Sequence, residues 1–278
     1  MSRRHRLCAE QSAGNIAPAA TTVNFATAIM DNVPTASEPA NYGIDAPKVV
    51  MRMFLAGIMG VVLGGVSWLA SHWHWLPWAG YVVSPALWLG GIFLGQCGVM
   101  LWGSKVGKLR LRDRILKTIP WRGDERVLDV GCGHGLMLLG AAKRLTSGRA
   151  TGIDIWSQED QKSNSAAATM ENARREGVND RVELLNADAR AIPFPSGSFD
   201  VVISSFAIHN IYDRAQRDQA IREIARVLKP GGRLAITDLR HVAEYEQVLR
   251  QFGWSDIQCH GPYFLFFIPT RMLRAIKP

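Results

Sequence analysis

The sequence predicts an α/β domain with a mostly parallel sheet, preceded by a transmembrane helical hairpin. Three observations predict it. An apolar run, Val127-Leu128-Asp129-Val130, breaks into the alternating glycines Gly131, Gly133 and Gly135 before the helix-forming Leu136-Met137-Leu138-Leu139. Short apolar strands then alternate with helical stretches, the pattern of a sheet covered by its own crossovers. Upstream, Met53 to Ser104 contains no Asp, Glu, Lys or Arg, in a chain that is otherwise 20% charged.

Residues 1–47 are rich in Ser, Ala, Thr, Asn and Pro with no sustained period, so a poorly ordered tail is expected. Arg3, Arg4 and Arg6 with few acids also fit a transit peptide, although no apolar core of signal-peptide length follows. Asn41 to Pro47 reads as the first ordered stretch. Residues 48–104 form the hairpin, with spans at about 53–70 and 80–102, each near the ~20 residues that cross a bilayer. Between them, Trp73, Trp75 and Trp78 suit a membrane–water boundary and Pro77 suits a turn. Gly60-x-x-x-Gly64 and Gly91-x-x-x-Gly95 would let the two helices approach closely. The connecting loop has no Lys or Arg, whereas Lys48, Arg52 and the segment from Lys105 to Lys117 flank the spans, which places both ends on the cytoplasmic side. That basic segment carries Val106, Leu109, Ile115 and Leu116 at roughly helical spacing, so it suits anionic headgroups as well as a helix packed before the first strand.

The glycine turn lets a nucleotide-like ligand approach bare backbone at a strand's carboxyl end. A dinucleotide fingerprint would need glycine at position 136, which is Leu136. The spacing here is D-x-G-x-G-x-G, beginning at Asp129. Further landmarks follow in order: Ala150-Thr151-Gly152-Ile153-Asp154, Arg181 to Asp188, Phe199 to Phe206, and Leu228-Lys229-Pro230-Gly231-Gly232. This set resembles the class I S-adenosylmethionine-dependent methyltransferases of the small-molecule, quinone C-methyltransferase-like type, over about residues 105–278. The resemblance implies a Rossmann-like sheet of seven strands, the last antiparallel, and S-adenosylmethionine as cofactor. It implies cofactor contacts from Asp129, Gly131, Cys132, Gly133 and Gly135. Asp154 with Ile155 would meet the ribose, Asp188 with Ala189 the adenine amino group, and Ser204 the site from the strand facing the methyl group. His134 would neighbour the cofactor. Each landmark also has a purely structural reading, and Asp200 fits a turn and strand start better than a site.

His209, just past Phe206, is a candidate base or acceptor-orienting group, because an imidazole titrates near neutral pH. It equally suits a role in orienting the loop before the helix that starts at Asp213. Asn210 could assist by hydrogen bonding. No metal is expected, since Cys8, Cys97, Cys132 and Cys259 are scattered with no C-x-x-C pair. The net charge of +8 is densest at the membrane boundary, and Ser204-Ser205-Phe206-Ala207 lacks the motif of base-methylating enzymes, so no nucleic acid partner is expected. A small-molecule acceptor is favoured, and the anchor makes a lipid-soluble one the preferred class. Tyr263 to Ile268 reads as the last buried strand, or else as a lipid-facing entrance. The alternatives are a membrane-bound NAD-dependent oxidoreductase of similar fold and a non-catalytic scaffold that retains the fold.

Overall fold

A computed structural model of the chain describes residues 39–156, 164–264 and 269–278. Of the tail expected over residues 1–47, residues 1–38 lie outside the described residues, as do residues 265–268 of the Tyr263–Ile268 run.

Two long helices come first. Helix α1 spans Pro47–His72 and α2 spans Gly80–Trp102, joined by a turn in which Trp73, Trp75 and Trp78 are exposed. Both are long and apolar enough to cross a membrane. Their contact is built on missing side chains. A Cβ on Gly60 would lie 2.8 Å from Gly90 Cα, and one on Gly64 would lie 2.7 Å from the Leu87 side chain. The small-residue stripe expected at Gly91 and Gly95 faces the other way, with nothing within 4 Å of either added Cβ. One residue is about 100° of helix rotation, so it is Gly90 that meets α1.

Helix α2 does not stop at the expected boundary. It passes through a π-helical turn, Gly103–Gly107, directly into α3, Lys108–Leu116. Strands β1 (Arg126–Val130), β2 (Arg149–Asp154), β3 (Val182–Asn186), β4 (Phe199–Ser205), β5 (Leu228–Asp238), β6 (Ile257–Phe264) and β7 (Pro269–Ile276) form one sheet in the order 3-2-1-4-5-7-6. The first five are parallel to their neighbours, and β7 runs antiparallel to both β5 and β6. The seven-stranded, mostly parallel expectation therefore holds. The helices α4 (Leu136–Ala142), α5 (Ala166–Arg175), α6 (Arg214–Val227) and α7 (Val242–Gln251) complete the domain.

Both faces of the central strands are buried, as parallel strands require. Leu128, Val130 and Val202 pack with Ile221 and Ile224 of α6 and with Tyr245 and Leu249 of α7. Val127, Val201 and Ile203 pack on the opposite face with Ile115 and Leu116 of α3 and with Leu138 and Leu139 of α4. Each such side chain contributes about 1.5–3 kcal/mol of burial. Helices α5 and α6 start at capping residues, Ser165 accepting from the Ala168 amide and Asp213 from the Gln216 amide.

One expectation changes at the sheet's end. The strand containing Tyr263 and Phe264 is not a buried one: β6 is the sheet's edge, and Phe264 is 69% exposed. Residues 41–46, read from the sequence as the start of the ordered chain, pack against the domain: Tyr42 is buried and its hydroxyl donates to Glu176.

Candidate active site

The parallel strands end on one edge, and the sequence-predicted residues gather there. After β1 the chain turns through Gly131, Gly133 and Gly135, all at positive φ. At Gly131 no side chain fits, since a Cβ would come within 2.2 Å of Ala207 Cβ in the loop after β4. The turn is anchored to β2: the Gly131 and Cys132 amides donate to Ile153 O at 2.8 and 3.1 Å, and the Gly133 amide donates to Asp154 Oδ2 at 2.8 Å. Asp154 Oδ1 accepts from the Trp156 amide at 2.7 Å. A carboxylate offers about four acceptor sites, so Asp154 keeps capacity for hydroxyl donors.

Asp129 lies beneath the turn, 1% exposed, and neither of its oxygens makes a well-formed hydrogen bond. Burial, with Asp154 nearby, pushes it up to about 8, the Leu138 amide offsetting part of the shift. Cys132 is buried against Gly152, and burial pushes its thiol well up, so it is a packing residue of the loop. The Ser204 hydroxyl is also buried and donates to Val130 O at 2.8 Å, tying β4 to β1.

Other predicted residues stand farther out. Ile155 is 60% exposed. Asp188 lies two residues past β3 and is chelated by the Arg190 guanidinium, which holds its carboxyl below the usual range. Ala189 packs against the core. Asp200 is at the opposite edge, where it accepts from the Arg126 amide and Lys229 Nζ at 2.8 Å each, a structural role.

Beyond β4 the backbone takes a left-handed residue at Phe206 (φ 54°), whose amide donates to Thr237 O, and then a short turn, Ile208–Asn210. Strain of this kind is held in place by its surroundings. Here the holder is Asp238, the buried last residue of β5. Its Oδ2 accepts from the His209 amide at 3.0 Å and from the Tyr245 hydroxyl at 3.1 Å, while its Oδ1 lies 2.5 Å from His209 Nδ1. Burial and the adjacent Asp238 together raise the Tyr245 phenol pKa. Asn210 is exposed beside this pair. Sequence reasoning missed Asp238, although an acid ending the apolar run Leu234-Ala235-Ile236 is the same signal that identified Asp154. It also missed Thr169 and Asn172 of α5. The Thr169 hydroxyl donates to Gly133 O at 2.5 Å, and Asn172 Nδ2 donates to His134 O at 3.0 Å. Among the described residues no group of three His, Cys, Asp or Glu could hold a metal.

Residues 128–236 match the family model described as a methyltransferase domain. The chain is 39% identical over 129 residues to 27-O-demethylrifamycin SV methyltransferase of Amycolatopsis mediterranei (46% of this chain, 44% of the relative). It is 35% identical over 122 residues to demethylmenaquinone methyltransferase of Staphylococcus aureus (44% of this chain, 46% of the relative). It thus spans less than half the length of each. Among solved structures, the [4+2]-cyclase SpnF superposes with a TM-score of 0.52 at 24% identity, covering 61% of this chain and 80% of that one, a likeness of fold. The residues fit an adenosyl sulfonium: three glycines at positive φ leave bare backbone at the end of β1, and Asp154 at the tip of β2 keeps acceptor capacity for hydroxyls. Over residues 128–236 this chain is similar to methyltransferase domains.

Proposed function

We propose that the chain is a membrane-anchored methyltransferase that passes a methyl group to a small, lipophilic acceptor by in-line displacement. The observation that carries this reading is the His209–Asp238 pair, held 2.5 Å apart in the loop whose Ala207 abuts the glycine turn. Bound at that turn, S-adenosylmethionine supplies a methyl group already activated on a sulfonium. The Gly131–Gly135 backbone and Asp154 would hold it, with Asp129 beneath, Ile155 and Asp188 toward its adenosyl end and Ser204 bracing the strand between. With it bound, the acceptor's nucleophilic atom would displace sulfur from the methyl carbon, the electron pair of the broken carbon–sulfur bond staying on sulfur. Asp238 lies against the Nδ1 edge of His209, which leaves Nε2 as the nitrogen to take the acceptor's proton. Asn210 is placed to orient the acceptor.

Two features support a lipophilic acceptor. Past the hairpin, three of the five exposed large apolar residues among those described, Ile155, Tyr212 and Phe264, sit at the carboxyl edge of the sheet, where the glycine turn is. The hairpin also emerges at that edge, since Ser104 Oγ accepts from the Asp45 amide beside the residues that reach the turn. With Lys and Arg flanking the spans and neither in the Trp73–Ala79 connection, the catalytic domain faces the cytoplasm. The relatives named for rifamycin and demethylmenaquinone methylation agree with a small-molecule acceptor.

The test supplies the full chain, in detergent micelles, with methyl-labelled cofactor and either a membrane lipid extract or soluble amines and phenols. Label is expected in the lipid fraction, falling by about 10²–10⁴ in His209→Ala with cofactor binding intact. Transfer only to the soluble acceptors, or undiminished transfer in the variant, would overturn the reading.

A further inference from the structure

The segment Asn41–Asp45, which leads into α1, is held by the domain at four points, and one of the four anchors, Asn172, also reaches the glycine turn. Asn172, 3% exposed on α5, accepts the Asn41 amide on Oδ1 at 2.8 Å and donates through Nδ2 to Asn41 O at 2.9 Å and to His134 O at 3.0 Å. Lys108, 5% exposed at the start of α3, donates from Nζ to Tyr42 O at 2.8 Å and Gly43 O at 2.7 Å, and lies 3.3 Å from Asp45 Oδ2. The Tyr42 hydroxyl donates to Glu176 Oε1 at 3.0 Å. The Asp45 amide donates to Ser104 Oγ at 3.0 Å, in the π-turn that ends α2. Gly43 comes so close to the turn that its Cβ position is 3.7 Å from the His134 ring.

A lysine this deeply buried is costly unless its ammonium is fully satisfied, and here one carboxylate and two carbonyls satisfy it. Those carbonyls belong to a strap with no helix or strand of its own. The cost of burying Lys108 is therefore offset only while the strap is seated. The strap in turn closes the side of the turn from which Asn172 and Thr169 draw the His134 and Gly133 carbonyls.

We infer that Lys108 and Asn172 are positioning residues for cofactor binding, acting by locking the Asn41–Asp45 strap behind the Gly131–Gly135 turn. Neither touches the reacting atoms. Their effect is to hold the turn in the form that accepts the ligand, so that cofactor affinity depends on the segment by which the chain enters the hairpin. The inference rests on the proposed cofactor site, and its test separates the two.

The full chain in micelles is titrated calorimetrically with S-adenosylmethionine, and amide hydrogen exchange over residues 131–135 is followed without cofactor. Lys108→Met and Asn172→Ala are expected to weaken binding by about tenfold, with faster exchange at the turn and kcat within about twofold, as losing a few buried hydrogen bonds implies. Lys108→Arg, which keeps a donor cation, should recover most of the affinity, and the exposed Lys117→Met should match the wild type. Tyr42→Phe, expected to act in the same direction, keeps the test alive if Lys108→Met fails to fold. Unchanged Kd and exchange in folded variants overturn the inference, as does a loss confined to kcat. A wild-type chain that binds no S-adenosylmethionine overturns the proposed function instead, while the exchange rates still decide the strap's role.

Discussion

Asp129 is the residue whose burial has the clearest solution consequence. In the unfolded chain its carboxyl titrates near the ordinary 3.8, whereas burial in the fold pushes it up to about 8. Between those values the folded chain binds a proton that the unfolded chain lacks. The stability this supplies is full below the unfolded value and is lost as pH rises through the folded one. Asp129→Asn removes the titration, so the unfolding midpoint of the wild type should fall more steeply between pH 5 and 8 than that of the variant. Thermal unfolding followed by near-ultraviolet circular dichroism at several pH values reads this difference, and equal slopes would show that Asp129 is already ionised. Asp129 and Asp154 were legible in the sequence because each lies in an apolar strand at the glycine turn. Lys108 was not: among the cations from Lys105 to Lys117 nothing in the order of residues marks one as buried. Its partners are backbone carbonyls more than sixty positions away in sequence.

At the scale of elements, the hairpin shows what spacing can and cannot fix. Glycines four apart share a helix face, but the spacing does not say which face meets the neighbour. Gly60 and Gly64 lie in the α1–α2 contact, while Gly91 and Gly95 point away from it. A β-branched side chain at Gly60 must push against Gly90 Cα and Ala86 O, both backbone atoms that cannot swing aside. Gly60→Val is expected to cost about 1–3 kcal/mol and to lower the unfolding temperature in micelles. Gly91→Val should leave it nearly unchanged, and equal shifts in the two variants would refute the packing. The sheet was far more legible, because β1, β2 and β4 are apolar runs stopped by glycine, acid or serine. The edge strand β6 was misjudged because its aromatic pair, Tyr263 and Phe264, looks like core in one dimension. Arg114 of α3 lies over the ring of Tyr263, its guanidinium carbon 5.2 Å from the ring centre.

For the molecule as a whole, order along the chain showed that hairpin and catalytic domain follow one another, but not that they share a joint. That joint is made of long-range polar contacts, the Asp45–Ser104 bond and the Lys108 cluster, which carry no local pattern. The uninterrupted passage of α2 through Gly103–Gly107 into α3 makes the second span and the helix under β1 a single lever. A spanning helix adjusts its tilt to the hydrocarbon thickness around it. Were the hairpin seated in a bilayer, as proposed, acyl-chain length would through that lever control how the catalytic mouth leans toward the lipid headgroups. Methyl transfer measured in vesicles of graded chain length should peak at one thickness and decline on both sides, and a flat profile would mean that the lever bends freely at its glycines.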